Sequence, residues 1–373
     1  MLRVMDGFYR GRRVFITGHT GFKGAWMCLL LARAGAKVLG YSLDPPSTPS
    51  LFSLTRMDKE PLPGLASLHA DILDLPKLSQ AVAEFDPEVV IHMAAQSLVR
   101  PSYADPAGTF AANVQGTVNL LEACRKSPPR QGRRRAIVTV TSDKCYENRE
   151  WLYGYREVDR LGGHDPYSAS KACAEIAAQA FARSFFGPEG VHGGHGGHGT
   201  ILASARAGNV IGGGDFATDR LVPDMARAFA KGEPVRIRRP QAVRPWQHVL
   251  EPVSAYLLLA RRMLETGHEF AGPWNFGPDS RDVRTVGEVA SRFAEVWGPG
   301  AELDLTRELN QGPHEAGLLT LDCTKSRALL GWKPRLDLDA ALIWCAGWYR
   351  AWADAKMDLR ALCNTRIDEF FDE

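Results

Sequence analysis

Residues 13–24 read Arg13-Val14-Phe15-Ile16-Thr17-Gly18-His19-Thr20-Gly21-Phe22-Lys23-Gly24. A short β-branched run stops at Gly18, and an apolar stretch of helical character opens at Ala25. Glycines in a strand-to-helix turn let the backbone come close to a pyrophosphate, which the free N–H groups and dipole of the helix start then hold. The spacing is GxxGxxG, one residue longer than the common dinucleotide fingerprint. Gly18, Thr20, Gly21, Phe22, Lys23 and Gly24 are therefore the candidate cofactor-binding residues of this turn.

Outward from the turn, Lys37–Ser42 reads as the next strand. Val89–Ala95 and Ala136–Ser142 are near-continuous apolar runs, the pattern of strands buried on both faces. Asn113–Cys124 between them has helical spacing, and Ile201–Arg206 reads as a further strand. Strand and helix in alternation predict an α/β fold, a doubly wound parallel Rossmann sheet. Beyond Gly212 the texture changes to a helix at 221–230 stopped by Gly232, strand and loop over 236–246, and helices at 286–297 and 338–352. This predicts a smaller C-terminal α+β lobe over the carboxyl ends of the strands. The expected division is 1–208 with 244–272 for the dinucleotide-binding domain, and 209–243 with 273–373 for the substrate lobe.

A chain of 373 residues accommodates two domains sharing one cleft. A net charge of +2 gives no electrostatic ground for nucleic acid or an anionic membrane as partner. The basic run 130–135 is broken by Gln131 and Gly132 and reads as a solvated loop. Seven cysteines, an odd number with no CxxC pair, fit a reducing compartment and neither a disulfide frame nor a zinc site. The N-terminus lacks the apolar core of a signal peptide, and Ala25–Ala32 is too short to span a bilayer, so the expectation is a cytoplasmic protein. His192–Gly199 (HGGHGGHG) offers imidazoles to a metal, but its glycines make ordering entropically costly. It reads as a surface loop, and no metal is expected.

Three groups of residues carry chemistry. Asp44, about twenty residues beyond the last glycine, suits the ribose hydroxyls of NAD and would repel the 2′-phosphate of NADP; alternatively it caps the Asp-Pro-Pro turn. Asp71 and Ile72 would flank the adenine. Tyr167 and Lys171 stand four residues apart, side by side on one helix face. A nearby ammonium favours the phenolate, which can take a hydroxyl proton while hydride leaves the same carbon. Thr141-Ser142-Asp143-Lys144 ends a buried strand, where strand ends of such sheets meet the ligand. Ser142 can bond the hydroxyl being oxidised, whereas Asp143 and Lys144 form an acid/base pair that simple dehydrogenation does not need.

Together these motifs resemble the extended short-chain dehydrogenase/reductase family, and within it the nucleotide-sugar 4,6-dehydratases. The resemblance rests on VFITGHTGFKGAW from Val14, GYSLDPP from Gly40, AAQSLVRPSY from Ala94, GGHDPYSASKACAE from Gly162, ARAGNVIGGGDF from Ala205, WNFGP from Trp274 and LGWKP from Leu330. SDKCYENREW from Ser142 and RPWQHVLEP from Arg244 point more narrowly to the branch acting on CDP-glucose.

The resemblance implies C4 oxidation with Tyr167 as base, loss of water across C5 and C6 with Asp143 as acid, and hydride return to C6. The product would be CDP-4-keto-6-deoxyglucose, for deoxysugar and surface-polysaccharide synthesis. Lys144 stands where most relatives acting on other nucleotide sugars have a glutamate base; it takes the C5 proton only if burial or neighbouring positive charge holds it neutral, and otherwise stabilises the enolate. Ser142 replaces a more usual threonine, and Ser97 a frequent proline. The resemblance adds Ala94 and Ala95 to the cofactor set. It implies Gln96, Arg206, Asn209, Arg220, Arg244, Trp246 and His248 around the nucleotide sugar, with Arg206 and Arg220 the weaker candidates, each better suited by itself to a structural role, and Trp246 equally suited to a core position. It also implies a homodimer pairing the Asn113 and Tyr167 helices. Dehydration of another nucleotide sugar, 4-epimerisation and non-catalytic NAD(H) sensing are the alternatives.

Overall fold

The computed structural model describes residues 7–130, 132–187, 199–305 and 316–372. Seven parallel strands form the central sheet: β1 Arg13–Thr17, β2 Lys37–Ser42, β3 Leu65–His69, β4 Val89–His92, β5 Arg135–Val140, β6 Thr200–Ala207 and β7 Gly272–Phe276. Their order is β3-β2-β1-β4-β5-β6-β7, so the winding reverses between β1 and β4. Thr17 is level with Tyr41 on one side and His92 on the other, which opens a crevice at the carboxyl ends where the order reverses.

The apolar runs are continuous because both faces are covered. Val14 and Ile16, Val89 and Ile91, and Ala136 and Val138 enter one core, while Phe15, Val90 and Ile137 enter the other. Helices α1 Phe22–Arg33 and α6 Leu250–Thr266 lie on the first face; α2 Leu75–Phe85, α3 Gly116–Lys126 and α4 Pro166–Ser184 lie on the second. The smaller lobe contains α5 Leu221–Phe229, α7 Val286–Trp297 and α8 Leu338–Asp354. It also holds short ladders pairing 235–236 with 303–304 and 243–245 with 283–285.

Strands β1 and β2 have their expected bounds, whereas β4 stops at His92 and β5 at Val140. The helix expected from Asn113 starts as a π-helical turn, Ala111–Gln115, before α3. The boundary at 272/273 needs correction because it cuts β7, which pairs with β6 from Gly272↔Ala203 to Phe276↔Ala207. Gly-Pro-Trp-Asn-Phe has neither an apolar run nor a clean alternation to announce a strand. The last helix, α9 Leu359–Asp372, returns to pack on α1, and Arg56 pairs with Asp358 at 3.1 Å. Residues 192–198 of the histidine-glycine segment lie outside the described residues.

Candidate active site

The glycine turn leaves β1 with Gly18 at φ +76°, and a Cβ there would lie 2.7 Å from the Ala94 nitrogen. A Cβ on Gly24 would lie 2.2 Å from the Gly18 oxygen. The turn thus packs backbone against backbone. Gly21 caps α1 without a side-chain hydrogen bond, leaving the helix start open to an anion. Thr20 Oγ1 reaches Ser42 Oγ at 2.9 Å and the Leu43 carbonyl at 3.0 Å, tying the turn to the end of β2. Phe22 packs toward Gly212 and Val249 in the lobe-side wall.

Asp44 lies two residues beyond β2, its side chain 89% exposed and 3.4 Å from His69. Asp71 is exposed at the end of β3 and accepts from the Leu73 nitrogen; Ile72 is buried against Gly116. Ala94 and Ala95, half-buried, follow β4, and Thr17 Oγ1 accepts from the Met93 and Ala94 nitrogens.

Helix α4 starts sharply at Asp165-Pro166. Asp165 accepts from the Ser168 nitrogen at 2.9 Å, and Pro166 occupies a first-turn position where its missing N–H costs nothing. This start puts Tyr167 in the first turn and Lys171 one turn on, both buried. The Tyr167 nitrogen donates to Ser102 Oγ. Burial pushes the Tyr167 phenol up to about 12, with the Ser142 hydroxyl and Arg220 pulling down and Asp143 pushing up. Burial brings Lys171 down to about 8, opposed first by the negative charge of Glu175. Lys171 Nζ donates to the Val140 carbonyl at 3.3 Å, so the lysine docks on the last residue of β5.

Immediately after β5, Ser142 Oγ donates to Asp143 Oδ1 at 2.9 Å and accepts from the Lys144 nitrogen at 3.2 Å. Asp143 is buried, and its Oδ2 has no hydrogen-bond partner among the described residues. A Cβ on Gly208 would come within 3.0 Å of that oxygen. The Lys144 side chain is half-buried, with no partner among the described residues. Lys23 belongs electrostatically to this same group: after burial, repulsion by Arg220 and Lys171 lowers it to about 8, opposed by Asp143 and Asp215.

The expected substrate residues divide. Arg220, at the start of α5, pairs with Asp215 at 2.9 Å and lies in the field of Tyr167. Arg244 is mostly buried and donates to the carbonyls of Val243, Ala316 and Gly317; Asn209 is half-buried where the chain leaves β6. Arg206 is corrected, since it is fully buried on β6 and pairs with Glu175 at 2.7 Å. His248 is also corrected: it lies between Trp26 and Trp344, and burial holds it neutral, down to about 3. Trp246 is in the core, its Nε1 donating to the Arg284 carbonyl. The Gln96 amide is committed within its own loop, to Leu98 and Thr109.

Residues not anticipated are Glu175, Asp215, Ser102 and Gly208. Glu175 alone had a readable signal, the continued four-residue spacing from Tyr167 through Lys171.

Residues 15–343 match the family model described as GDP-mannose 4,6 dehydratase. The chain belongs to that family. Among this family's 4,6-dehydratases, the CDP-glucose 4,6-dehydratase of Salmonella typhimurium strain LT2 is 49% identical over 94% of the chain and 93% of its own length. The dTDP-glucose 4,6-dehydratase of Neisseria meningitidis serogroup B is 25% identical, over 91% of the chain and 93% of its own length. Among solved structures, the UDP-glucose 4-epimerase of Thermus thermophilus, complexed with NAD, superposes with a TM-score of 0.73 at 26% identity. That superposition covers 91% of the chain and 99% of the epimerase.

Proposed function

We propose that the protein performs NAD-dependent 4,6-dehydration of CDP-glucose, yielding CDP-4-keto-6-deoxyglucose and water. The observation that carries this reading is Asp143, a buried carboxyl with an unpartnered oxygen, next to Ser142 and in the field of Tyr167. Oxidation alone, or epimerisation, needs the Tyr167/Lys171 pair; elimination of water also needs an acid.

The turn fits NAD. Its helix start is uncapped, its glycines leave room only for backbone, and Asp44 presents an exposed carboxylate beyond β2. Gly18, Thr20, Gly21, Phe22 and Gly24 would hold the pyrophosphate, Asp44 the ribose, Asp71 and Ile72 the adenine, with Ala94 and Ala95 lining the crevice. When bound there, NAD would supply the acceptor for the C4 hydride and its donor to C6.

Ser142 orients the C4 hydroxyl and Tyr167 takes its proton, with the Lys171 ammonium stabilising the phenolate. The C4 ketone makes the C5 proton acidic, and Lys144, whose side chain is free to turn into the cleft, is the residue assigned to that proton. Asp143 delivers a proton to the departing C6 hydroxyl through Oδ2. Lys23, Arg220, Arg244 and Asn209 would hold the sugar nucleotide, the cations facing its diphosphate. CDP is chosen over other nucleotides on the 49% identity to the Salmonella enzyme.

Purified protein given NAD and, separately, the CDP, dTDP, UDP and GDP sugars tests this. A 4-keto-6-deoxy product from CDP-glucose at the highest kcat/KM is expected. A galactose-type product means epimerisation, preference for another nucleotide moves the base assignment, and no turnover leaves an NAD(H)-sensing protein.

We further assign residues 209–243 and 277–358 to the substrate lobe, and infer a cytoplasmic homodimer. Tyr103, Phe110 and Ile176 are exposed apolar side chains around α4, the helix expected to pair. No helix among the described residues is long and apolar enough to cross a membrane. Sedimentation of the protein with Ile176→Glu against the parent checks the dimer.

A further inference from the structure

Behind Lys171, one more turn along α4, Glu175 is fully buried with both carboxylate oxygens engaged. Oε1 accepts from Thr141 Oγ1 at 2.5 Å; Oε2 accepts from Ser204 Oγ at 2.7 Å and Arg206 Nη2 at 2.7 Å. Arg206 also donates to the Tyr146 hydroxyl at 2.8 Å and to the Glu157 carbonyl at 3.1 Å, and its guanidinium lies 4.9 Å from the Tyr146 ring centre. Tyr146 in turn donates to Asn275 on β7 at 2.7 Å. The network therefore joins α4, β5, β6 and β7 directly beneath the residues assigned to catalysis.

Two successive turns of α4 dock on two successive residues of β5 and its exit. Lys171 Nζ bonds the Val140 carbonyl and Glu175 bonds the Thr141 hydroxyl; Ser142 and Asp143 follow. A carboxylate one helical turn from an ammonium lies on the same face. An ion pair with neither member exposed is costly unless its geometry and hydrogen bonds are complete; here both Glu175 oxygens are engaged, while Arg206 Nε has no partner among the described residues. A neutral pair of similar volume would serve packing as well, so the charges themselves call for a reason.

We propose that Glu175, clamped by Arg206, Thr141 and Ser204, is a positioning residue: it fixes the exit of β5 on which Lys171 docks and sets a negative charge one helical turn from that ammonium. The inference rests on the reading of Tyr167 and Lys171 as the oxidising pair. The titratable groups that act on Lys171 are Glu175 one turn along its own helix, Cys145 after β5, His92 on β4 and Lys23 on α1, with Tyr167 one turn before it on α4; Arg206 acts on Glu175. Burial keeps His92 neutral, its value lowered to about 3, and raises the Cys145 thiol. Burial already brings Lys171 down to about 8, and the carboxylate of Glu175 is the first influence opposing it. Removing that carboxylate takes away the main negative charge acting on Lys171 and leaves the Arg206 guanidinium without its counter-ion, so Lys171 releases its proton at lower pH.

The test follows the lysine directly and the reaction in parallel. With 13C at the lysine ε-carbon and Lys171 assigned by its loss in Lys171→Met, its titration midpoint is measured in the full chain. The pH profile of kcat/KM is taken on the same preparations. Glu175→Gln should lower the midpoint, and the alkaline limb of the profile with it, by about one pH unit. The double variant Glu175→Gln/Arg206→Met, which buries no charge and so keeps the fold if the single variant fails, should show a smaller fall in the same direction. An unmoved midpoint in a folded variant overturns the role given to Glu175. A midpoint that falls without the alkaline limb overturns the Tyr167/Lys171 reading instead.

Discussion

On the cofactor side of the cleft, the turn from Gly18 to Gly24 is shaped by backbone lying on backbone, with 2.2 Å and 2.7 Å between would-be Cβ atoms and their neighbours. On the substrate side, the end of β5 is shaped by side chains: Lys171 and Glu175 hold the strand, Ser142 holds Asp143, and Asp215 holds Arg220. The first construction tolerates no added atom. The second tolerates small changes of shape and fails on changes of charge.

That contrast orders the expected effects of substitution. Tyr167→Phe removes the only group assigned to take the C4 proton, and kcat should fall on the order of 100- to 10,000-fold while cofactor binding stays near normal. A fluorescence titration with NAD alongside the turnover assay separates the two. Next come the two arginines, both expected from sequence to meet substrate. Arg206→Met leaves Glu175 buried without its cation and should cost about 3–5 kcal/mol of stability, read by chemical denaturation. Arg220→Met also leaves a buried carboxylate, Asp215, without its cation and lowers stability, but it alone should raise KM for the nucleotide sugar, about 10-fold, the worth of a charged hydrogen bond. Equal effects of the two on KM would erase the distinction between them.

Gly24→Ala forces a methyl group onto the Gly18 carbonyl, and should lower stability by about 1–3 kcal/mol and weaken NAD binding without changing the pH profile. Asp165→Ala removes only the cap that starts α4. It should cost about 1 kcal/mol, with a modest drop in kcat as the first turn holding Tyr167 frays. Melting curves and initial rates on one preparation check both.

The same contrast explains what could be read from the sequence. The glycine turn and strands β1 and β2 were legible because backbone requirements leave direct marks: glycines at a turn, apolar runs where both faces are covered. Tyr167 and Lys171 were legible from helical spacing. For Arg206 the sequence left a structural role and an anion contact both open, and only the fold shows that Glu175, thirty-one residues earlier, reaches it. His248 and Trp246 alternate with Arg244 and Gln247 in a mixed stretch of sequence but lie among tryptophans and core residues in space. Strand β7 was hidden by a proline and an asparagine, the latter spent on cross-links to Tyr155 and Asp322.

Oxidation, water loss and reduction all fall on one sugar ring held between these two sides. CDP-glucose carrying deuterium at C4, turned over with NAD and followed by NMR of the product, is the sharpest check. The expected product is a 4-keto-6-deoxy sugar with that deuterium on C6, carried there within the molecule. Deuterium retained at C4 of a galactose-type product, or a product that keeps its C6 hydroxyl, would contradict it.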